Sequence, residues 1–378
     1  VPRARAAARL AMAGALAIAP ALLGAAPSNA QSAGSSGSGV LAPGAQFEQL
    51  CTPTDPALEE LSGLAIVAGK IYGIGDSGTD ESVTVMDGDC AVTATLPVPV
   101  DPYDIEDMGV GSDGRLWLSD TGDNDRLRQT VALISLDRAS GDGQLHRLAY
   151  PDGPHDAETL LIQRDGSPLI VTKEILAPSG IYRPVGATSL DGLASPGPTA
   201  LERVGEVRLG PTHTPGGPVP VGGSTLVTGG AASADGTVAA LRTYTDVYLY
   251  SAPDGDLVRA LTTTTPVRVA LPNQPQGEAI AFTPDGDLLA GSESAGGALP
   301  PLQILRGAAD IARDDSGSGG SVPLSASVNE SAAEGTSGGA IEDNGALRWS
   351  TPALVGGALV AGLATYGLVR RRSRSRRH

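Results

Sequence analysis

QGEAIAFTPDGDLLAGS, residues 276–292, consists of an apolar run, a Pro-Asp-Gly turn and a second apolar run. Asp-Gly between two such runs is a strong short-range hairpin signal, because the left-handed turn it allows matches the twist of the flanking strands. The same layout recurs in DIEDMGVGSDGRLWLSD (104–120), DAETLLIQRDGSPLIVTK (156–173) and LVTGGAASADGTVAALR (226–242). ELSGLAIVAGKIYGIGD (60–76) follows it with the turn at Gly69-Lys70. The Asp-Gly aspartates are Asp113, Asp165, Asp235 and Asp285, and seven residues before them stand Glu106, Glu158, Thr228 and Glu278. Seven residues after come Asp120, Thr172, Arg242 and Ser292, with Pro168 read as one extra residue that moves the third match to Lys173.

Residues equidistant from a hairpin turn face each other at its open end. The spacing therefore pairs Ser62 with Asp76, Glu106 with Asp120, Glu158 with Lys173, Thr228 with Arg242 and Glu278 with Ser292. Polar residues recurring at one register in every unit predict an all-β chain of repeated blades: a β-propeller of five or six blades spanning residues 44–307. The open ends then meet at one acidic mouth. A sixth blade would lie in 175–227, and the strand near Gln46–Cys51 is expected to close the ring beside Leu302–Leu305.

LSGLA, GDSG, IEDMGVG, SDTGDN, YPDGPHDAETLL, LRTYTD and PQGEAIAFTPDG resemble strings in a family of exported bacterial propeller proteins. That family is similar in layout to phytase-like and gluconolactonase-like propellers. The resemblance covers about residues 60–307 and implies fold and export rather than a reaction. Ile105 stands where that family usually has an aromatic, and Gly230-Ala231 where it usually has an acid.

The ring residues suggest chemistry. Glu106, Asp120, Asp123, Glu158 and Glu278 are candidate oxygen ligands for Ca²⁺, which takes 6–8 oxygens. The loop Asp120-Thr121-Gly122-Asp123-Asn124-Asp125 is dense in carboxylates but lacks EF-hand spacing, and reads equally as a solvated turn. His155, Asp156, Glu158, Lys173 and Arg242 are the candidate catalytic groups. A carboxylate or His155 would serve as base, Lys173 would hold Glu158 ionised, and Arg242 would take an anionic substrate group. Salt-bridged structural pairs are the competing reading. Gly75-Asp76-Ser77-Gly78 is read as a turn, because no histidine precedes Ser77 to complete a trypsin-like triad.

The ends read as addresses. Arg3, Arg5 and Arg9 precede an apolar run and Ser28-Asn29-Ala30, the pattern of a signal peptide over 1–30. Residues 31–43 read as a linker and 308–346 as a Gly/Ser-rich stalk. A transmembrane helix is expected over 347–369, where Trp349–Val369 carries no charge, followed by a cytoplasmic Arg-rich tail at 370–378. Cys51 and Cys90 are the only two cysteines, and both lie in the exported part, where a lone pair is expected to form a disulfide.

The chain has 378 residues, 26 basic and 42 acidic, and nine of the basic ones sit at the two ends. The middle is thus strongly anionic, which excludes nucleic acid as a partner. These readings converge on a membrane-anchored extracytoplasmic propeller that binds a small-molecule or cell-envelope ligand at its acidic mouth, with Ca²⁺. The alternative is a Ca²⁺-dependent ester, lactone or phosphoester hydrolase.

Overall fold

The computed structural model describes residues 36–37, 39–76 and 78–315. The expected signal peptide, transmembrane helix and Arg-rich tail lie outside these residues, as do Ser77, residues 31–35 and 38 of the expected linker and residues 316–346 of the expected stalk. Among the described residues no helix is long and apolar enough to cross a membrane.

Two short strands come first, β1 (Ser36–Gly37) and β2 (Val40–Leu41), followed by β3 (Glu48–Cys51). Five four-stranded antiparallel units then account for the sheets. The first unit is β4 (Leu61–Val67), β5 (Lys70–Gly75), β6 (Ser82–Met86) and β7 (Val92–Pro97). The second is β8 (Ile105–Val110), β9 (Leu116–Asp120), β10 (Val131–Leu136) and β11 (Gly143–Ala149). The third is β12 (Ala157–Ile162), β13 (Pro168–Thr172), β14 (Ser179–Pro184) and the long β15 (Thr199–Leu209), whose start also pairs with β11. The fourth is β16 (Gly229–Ala232), β17 (Val238–Arg242), β18 (Asp246–Ser251) and β19 (Val267–Ala270), with helix α1 (Leu257–Thr263) before its last strand. The fifth is β20 (Gln276–Phe282), β21 (Leu288–Glu293) and β22 (Leu302–Leu305), completed by β3 from the N-terminal side. Leu302 pairs with Cys51 and Ile304 with Glu48, the closure expected from the sequence.

The first strands of the units, β4, β8, β12, β16 and β20, adjoin one another in that order, and β20 returns to β4. The result is a propeller-like ring. It has no single core. Each unit is apolar on both faces, and a separate cluster fills each gap between neighbours: Ala65 and Ile74 meet Ile105 and Met108, while Leu64 and Ile71 meet Ala279 and Ala281. That explains why the strands read as nearly continuous apolar runs. The expected turns form at Gly114, Gly166, Gly236 and Gly286, with φ of +79°, +81°, +66° and +90°. The Asp113, Asp165 and Asp235 carboxylates accept the N–H two residues on.

Three expectations need correction. Residues 175–227 form no sixth blade; they supply β14, β15 and a long loop. The folded body does not stop at residue 307, because helix α2 (Ala308–Asp315) buries Ala308, Ala309 and Ala312 against the fourth and fifth units. An Ala-rich segment needs few large side chains to pack where a neighbouring sheet supplies them. Within the expected linker, β2 extends the fourth unit beside β19.

The disulfide Cys51–Cys90 forms, with Cα atoms 5.7 Å apart. It ties the closing strand of the fifth unit to the first unit, across the seam of the ring. Closing a loop of this length stabilises by roughly 3–4 kcal/mol in the chain-entropy model.

Candidate metal centre

The facing pairs read from the spacing are off by one residue, and the offset builds the centre. In four inner hairpins the ladder slips at the polar position: between Leu61 and Gly63, Ile105 and Asp107, Ala157 and Thr159, and Gly277 and Ile280. A β-bulge adds a residue to one strand and re-aims its side chain. Ser62, Glu106, Glu158 and Glu278 are the residues involved, so Asp120 faces Ile105 rather than Glu106, and Ser292 faces Gly277. Thr172 pairs with Ala157, which places Lys173 beside Asp156 in the ladder rather than opposite Glu158, and Arg242 faces Gly229 rather than Thr228. Two of the five ring positions carry hydroxyls that tie neighbouring blades: Ser62 Oγ donates to Glu106 O at 3.0 Å and Thr228 Oγ1 to Gly277 O at 2.9 Å.

Glu106, Glu158 and Glu278 converge. One carboxylate oxygen from each lies within 4.8 Å of the other two, and all three residues are fully buried. Ligand oxygens on opposite sides of a cation bound at 2.3–2.6 Å stand up to about 5 Å apart, so the separation suits a shared ion. Burial pushes Glu106 well above the usual carboxylate range, reinforced by the charges of Glu158, Asp104, Asp156 and Glu278. Burial likewise raises Glu158, although Lys173 pulls it down. The Lys173 ammonium bonds Glu158 Oε1 and lies 5.4 Å from the ring centre of Tyr244. Among the described residues, Glu158 Oε2 and Glu278 Oε2 have no hydrogen-bond donor. Buried acceptors without donors cost free energy unless a proton or cation satisfies them. The three side chains can therefore hold a metal ion.

Other predicted residues stand elsewhere. Asp120 bonds Arg128 Nη1 at 2.9 Å and accepts the Asp104 N–H at 3.0 Å. Asp123 accepts the Leu127 and Arg128 N–H groups at 2.9 and 2.8 Å. Both act as turn and loop fasteners, the solvated-turn reading in buried form. Asp156 accepts the Asp123 N–H at 2.8 Å, and burial raises its pKa despite Lys173. His155 has Nδ1 3.2 Å from Glu174, and Nε2 3.1 Å from Asp152 and 3.0 Å from Tyr182 Oη. The Glu174 contact, ahead of the opposing effect of burial, raises its pKa.

Arg242 is fully buried and, among the described residues, makes no ion pair within 4.0 Å; it donates to the carbonyls of Ala279 and Gly291 at 2.9 and 2.8 Å and to Gln274 Oε1 at 2.9 Å. Burial lowers its pKa to about 9, opposed by the nearby Glu278 charge. It clamps the fourth unit to the fifth, and a β-carbon on Gly277 would collide with it.

Tyr244 and Asp107 were not legible from the repeat, whereas Glu293 stands with Gln276 and Glu278 in the ring that the sequence suggests. Tyr244, in the β17–β18 turn, brings its hydroxyl 3.5 Å from Glu278 Oε1. Glu293, nearly buried on β21, is raised by burial and by Glu278. Asp107, beside the bulge, accepts the Leu160 N–H at 2.7 Å, joining the second and third blades. The only advance sign of Asp107 was a second acid next to Glu106 on an inner strand. A separate cavity of about 370 Å³ lies toward the turn ends of the inner strands, walled by Ile66, Val110, Ile162 and Phe282, and none of the three glutamates lines it.

Among solved structures, the chain is similar to a gluconolactonase from Xanthomonas campestris, with a TM-score of 0.40 at 16% identity over 69% of this chain and 89% of that one. The periplasmic gluconolactonase of Pseudomonas aeruginosa matches with a TM-score of 0.37 at 15% identity, over 69% and 68% of the two chains. No protein-family model and no curated protein matches.

Proposed function

We propose that the protein is an extracytoplasmic, membrane-tethered propeller whose acidic centre holds one hard divalent cation, Ca²⁺ by its donors, and presents it to an oxygen-bearing small-molecule or cell-envelope ligand. The observation that carries this reading is the pair of buried, donorless oxygens, Glu158 Oε2 and Glu278 Oε2, within a convergent carboxylate triad. An all-carboxylate donor set without nitrogen or sulfur favours Ca²⁺ or Mg²⁺ over zinc or copper. Bound there, the cation would offset the mutual repulsion of the three carboxylates and supply an electrophilic contact for ligand oxygen.

Export and tethering rest on the sequence of the two ends. The disulfide is consistent with an oxidising compartment. Helix α2 packs beside the turns of the fourth and fifth units, with Arg313 on Asp235 and Ala309 N–H on Gly286 O. The chain thus leaves the described body away from the glutamates, so a tether would not obstruct them. Elemental analysis of the purified protein, before and after chelator treatment, tests the reading. About one Ca²⁺ per chain, lost to chelator, is expected; a metal-free protein that takes up none on dialysis against Ca²⁺ refutes it.

The hydrolase reading is favoured by one feature, the raised Asp156 carboxyl, a proton-transfer candidate two residues from Glu158. Ca²⁺-dependent turnover of model esters, lactones or phosphoesters, abolished in Asp156→Asn, would establish it over simple binding.

A further inference from the structure

The three glutamates are fully buried, yet a cation and its ligand have to reach them. The blade-to-blade links on their side of the ring differ in one place. Residues 98–104, 150–156 and 271–275 make three links of seven, seven and five residues, and 52–60 makes one of nine, whereas 210–228 makes one of nineteen. This long link contains Gly216 at φ +135° and Gly217 at φ +72°. It also contains Val221, a half-exposed β-branched residue held at φ +58°, which is a strained conformation.

The long link packs on Tyr244. A β-carbon on Gly217 would stand 2.6 Å from Tyr244 Cβ, and one on Gly223 would stand 3.3 Å from Tyr244 Cδ2. Tyr244 in turn reaches Glu278 with its hydroxyl and meets Lys173, the partner of Glu158, with its ring. The end of the link is anchored, with Leu226, Val227 and Thr228 buried and Thr228 Oγ1 on Gly277 O, whereas few ties hold residues 210–221. Thr212 and Thr214 donate their hydroxyls to the two oxygens of Asp246 at 2.6 and 2.8 Å, and the Gly217 N–H donates to Gln274 O at 3.0 Å. Asp246 keeps other partners without them, Thr245 Oγ1 at 2.7 Å and Arg268 Nη1 at 3.0 Å. The blades are fixed by ladders and five apolar clusters. Residues 210–221, held mainly by these polar contacts with Val219 as their buried apolar side chain, belong to the low-stability end of such a body.

We infer that residues 210–221 form a lid over the acidic centre, seated on Tyr244 and fastened by Thr212 and Thr214 to Asp246, whose opening admits the cation and its oxygen ligand. The inference rests on the cation centre proposed above and adds its control of access. Lifting the lid uncovers Tyr244, and movement of its ring frees the approach to Glu278 and Glu158. The lid governs rates rather than affinity, because none of its own side chains belongs to the carboxylate triad.

Two measurements on the full protein test this. The first is hydrogen exchange without metal. The Gly217 and Gly223 amides are expected to exchange at least about 100-fold faster than those of β17 and β18, by a local opening. Exchange of these amides only together with the strands would overturn the lid, whatever the centre binds.

The second measurement is stopped-flow binding of Tb³⁺, a luminescent stand-in for Ca²⁺, excited through tyrosine. In Thr212→Val/Thr214→Val, loss of two hydrogen bonds to a charged carboxylate should speed both binding and release about tenfold or more while changing affinity less than about threefold. Rates within twofold of wild type, with wild-type affinity, would overturn the lid and leave the centre standing. Tb³⁺ binding that survives Glu106→Gln/Glu158→Gln/Glu278→Gln would overturn the centre, and with it the access role of the lid.

Discussion

Asp120 and Asp123, in the loop that follows β9, are supplied with Arg128 and with backbone N–H groups. At the same end of the inner strands, Glu106 accepts the Ser62 hydroxyl, Glu158 the Lys173 ammonium and Glu278 the Tyr244 hydroxyl, while among the described residues Glu158 Oε2 and Glu278 Oε2 meet no donor. Both regions are acidic and buried. One is a finished structural device, whereas the other retains unsatisfied acceptor capacity. The supply of donors, rather than the density of acids, separates a fastener from a binding centre.

The comparison can be broken most sharply from the loop side. Arg128→Ala leaves Asp120 buried without its cation and removes the guanidinium stacked 4.6 Å from the Tyr103 ring centre. A loss of about 3–5 kcal/mol in urea unfolding is expected, the cost of stranding a buried charge, and Ca²⁺ should not restore it. Rescue by Ca²⁺ would place the ion in the loop.

The centre should respond with the opposite sign. Ca²⁺ at 100 times its dissociation constant should stabilise the protein by about 2.7 kcal/mol, read as a rise of a few degrees in melting temperature that chelator reverses. Glu106→Gln should remove that response. It should also stabilise the metal-free protein at pH 8, because a carboxyl raised in the folded state favours folding below its unfolded pKa and loses that advantage as pH rises through its folded value. A metal-free Glu106→Gln variant less stable than wild type at pH 8 would mean that Glu106 is already satisfied.

A smaller effect is expected at His155. Its pKa is raised, first by Glu174, so its contribution is complete below about pH 6.5 and is lost as pH rises through the folded value. Asp152 and Glu174 are lowered: hydrogen bonds from Tyr182 and His155 at Asp152, and from His155 and Arg126 at Glu174, outweigh burial, so their share is lost on acidification. His155→Gln should therefore cost about 0.5–1 kcal/mol at pH 6 and less at pH 9. An equal cost at both values would remove the ion cluster from the account.

The blades were legible because Asp-Gly turns and apolar arms are local signals, and because the seam strand Glu48–Cys51 carries a cysteine that finds Cys90. The convergence of Glu106, Glu158 and Glu278 followed from a shared register. The bulges did not, since an extra residue leaves the turn spacing unchanged and shifts only the ladder. In sequence Asp120 and Asp123 look like ligands, because their donors, Arg128 and the N–H groups of the returning loop, are matched only once the loop has folded. Arg242 looked like a ligand for anions, yet its acceptors are carbonyls of the next blade, which carry no side-chain signature. Tyr244 and the lid lay in a Pro/Gly-rich stretch and its neighbouring turn, where periodicity is silent.

The most direct test is calorimetric titration of chelator-treated protein with Ca²⁺, beside the Glu106→Gln/Glu158→Gln/Glu278→Gln variant and a control with Asp123→Asn in the loop. One saturable site in wild type, kept in Asp123→Asn and lost in the triple variant, is the predicted result. Equal binding by wild type and the triple variant, or its loss in Asp123→Asn alone, would contradict a cation centre at the three glutamates.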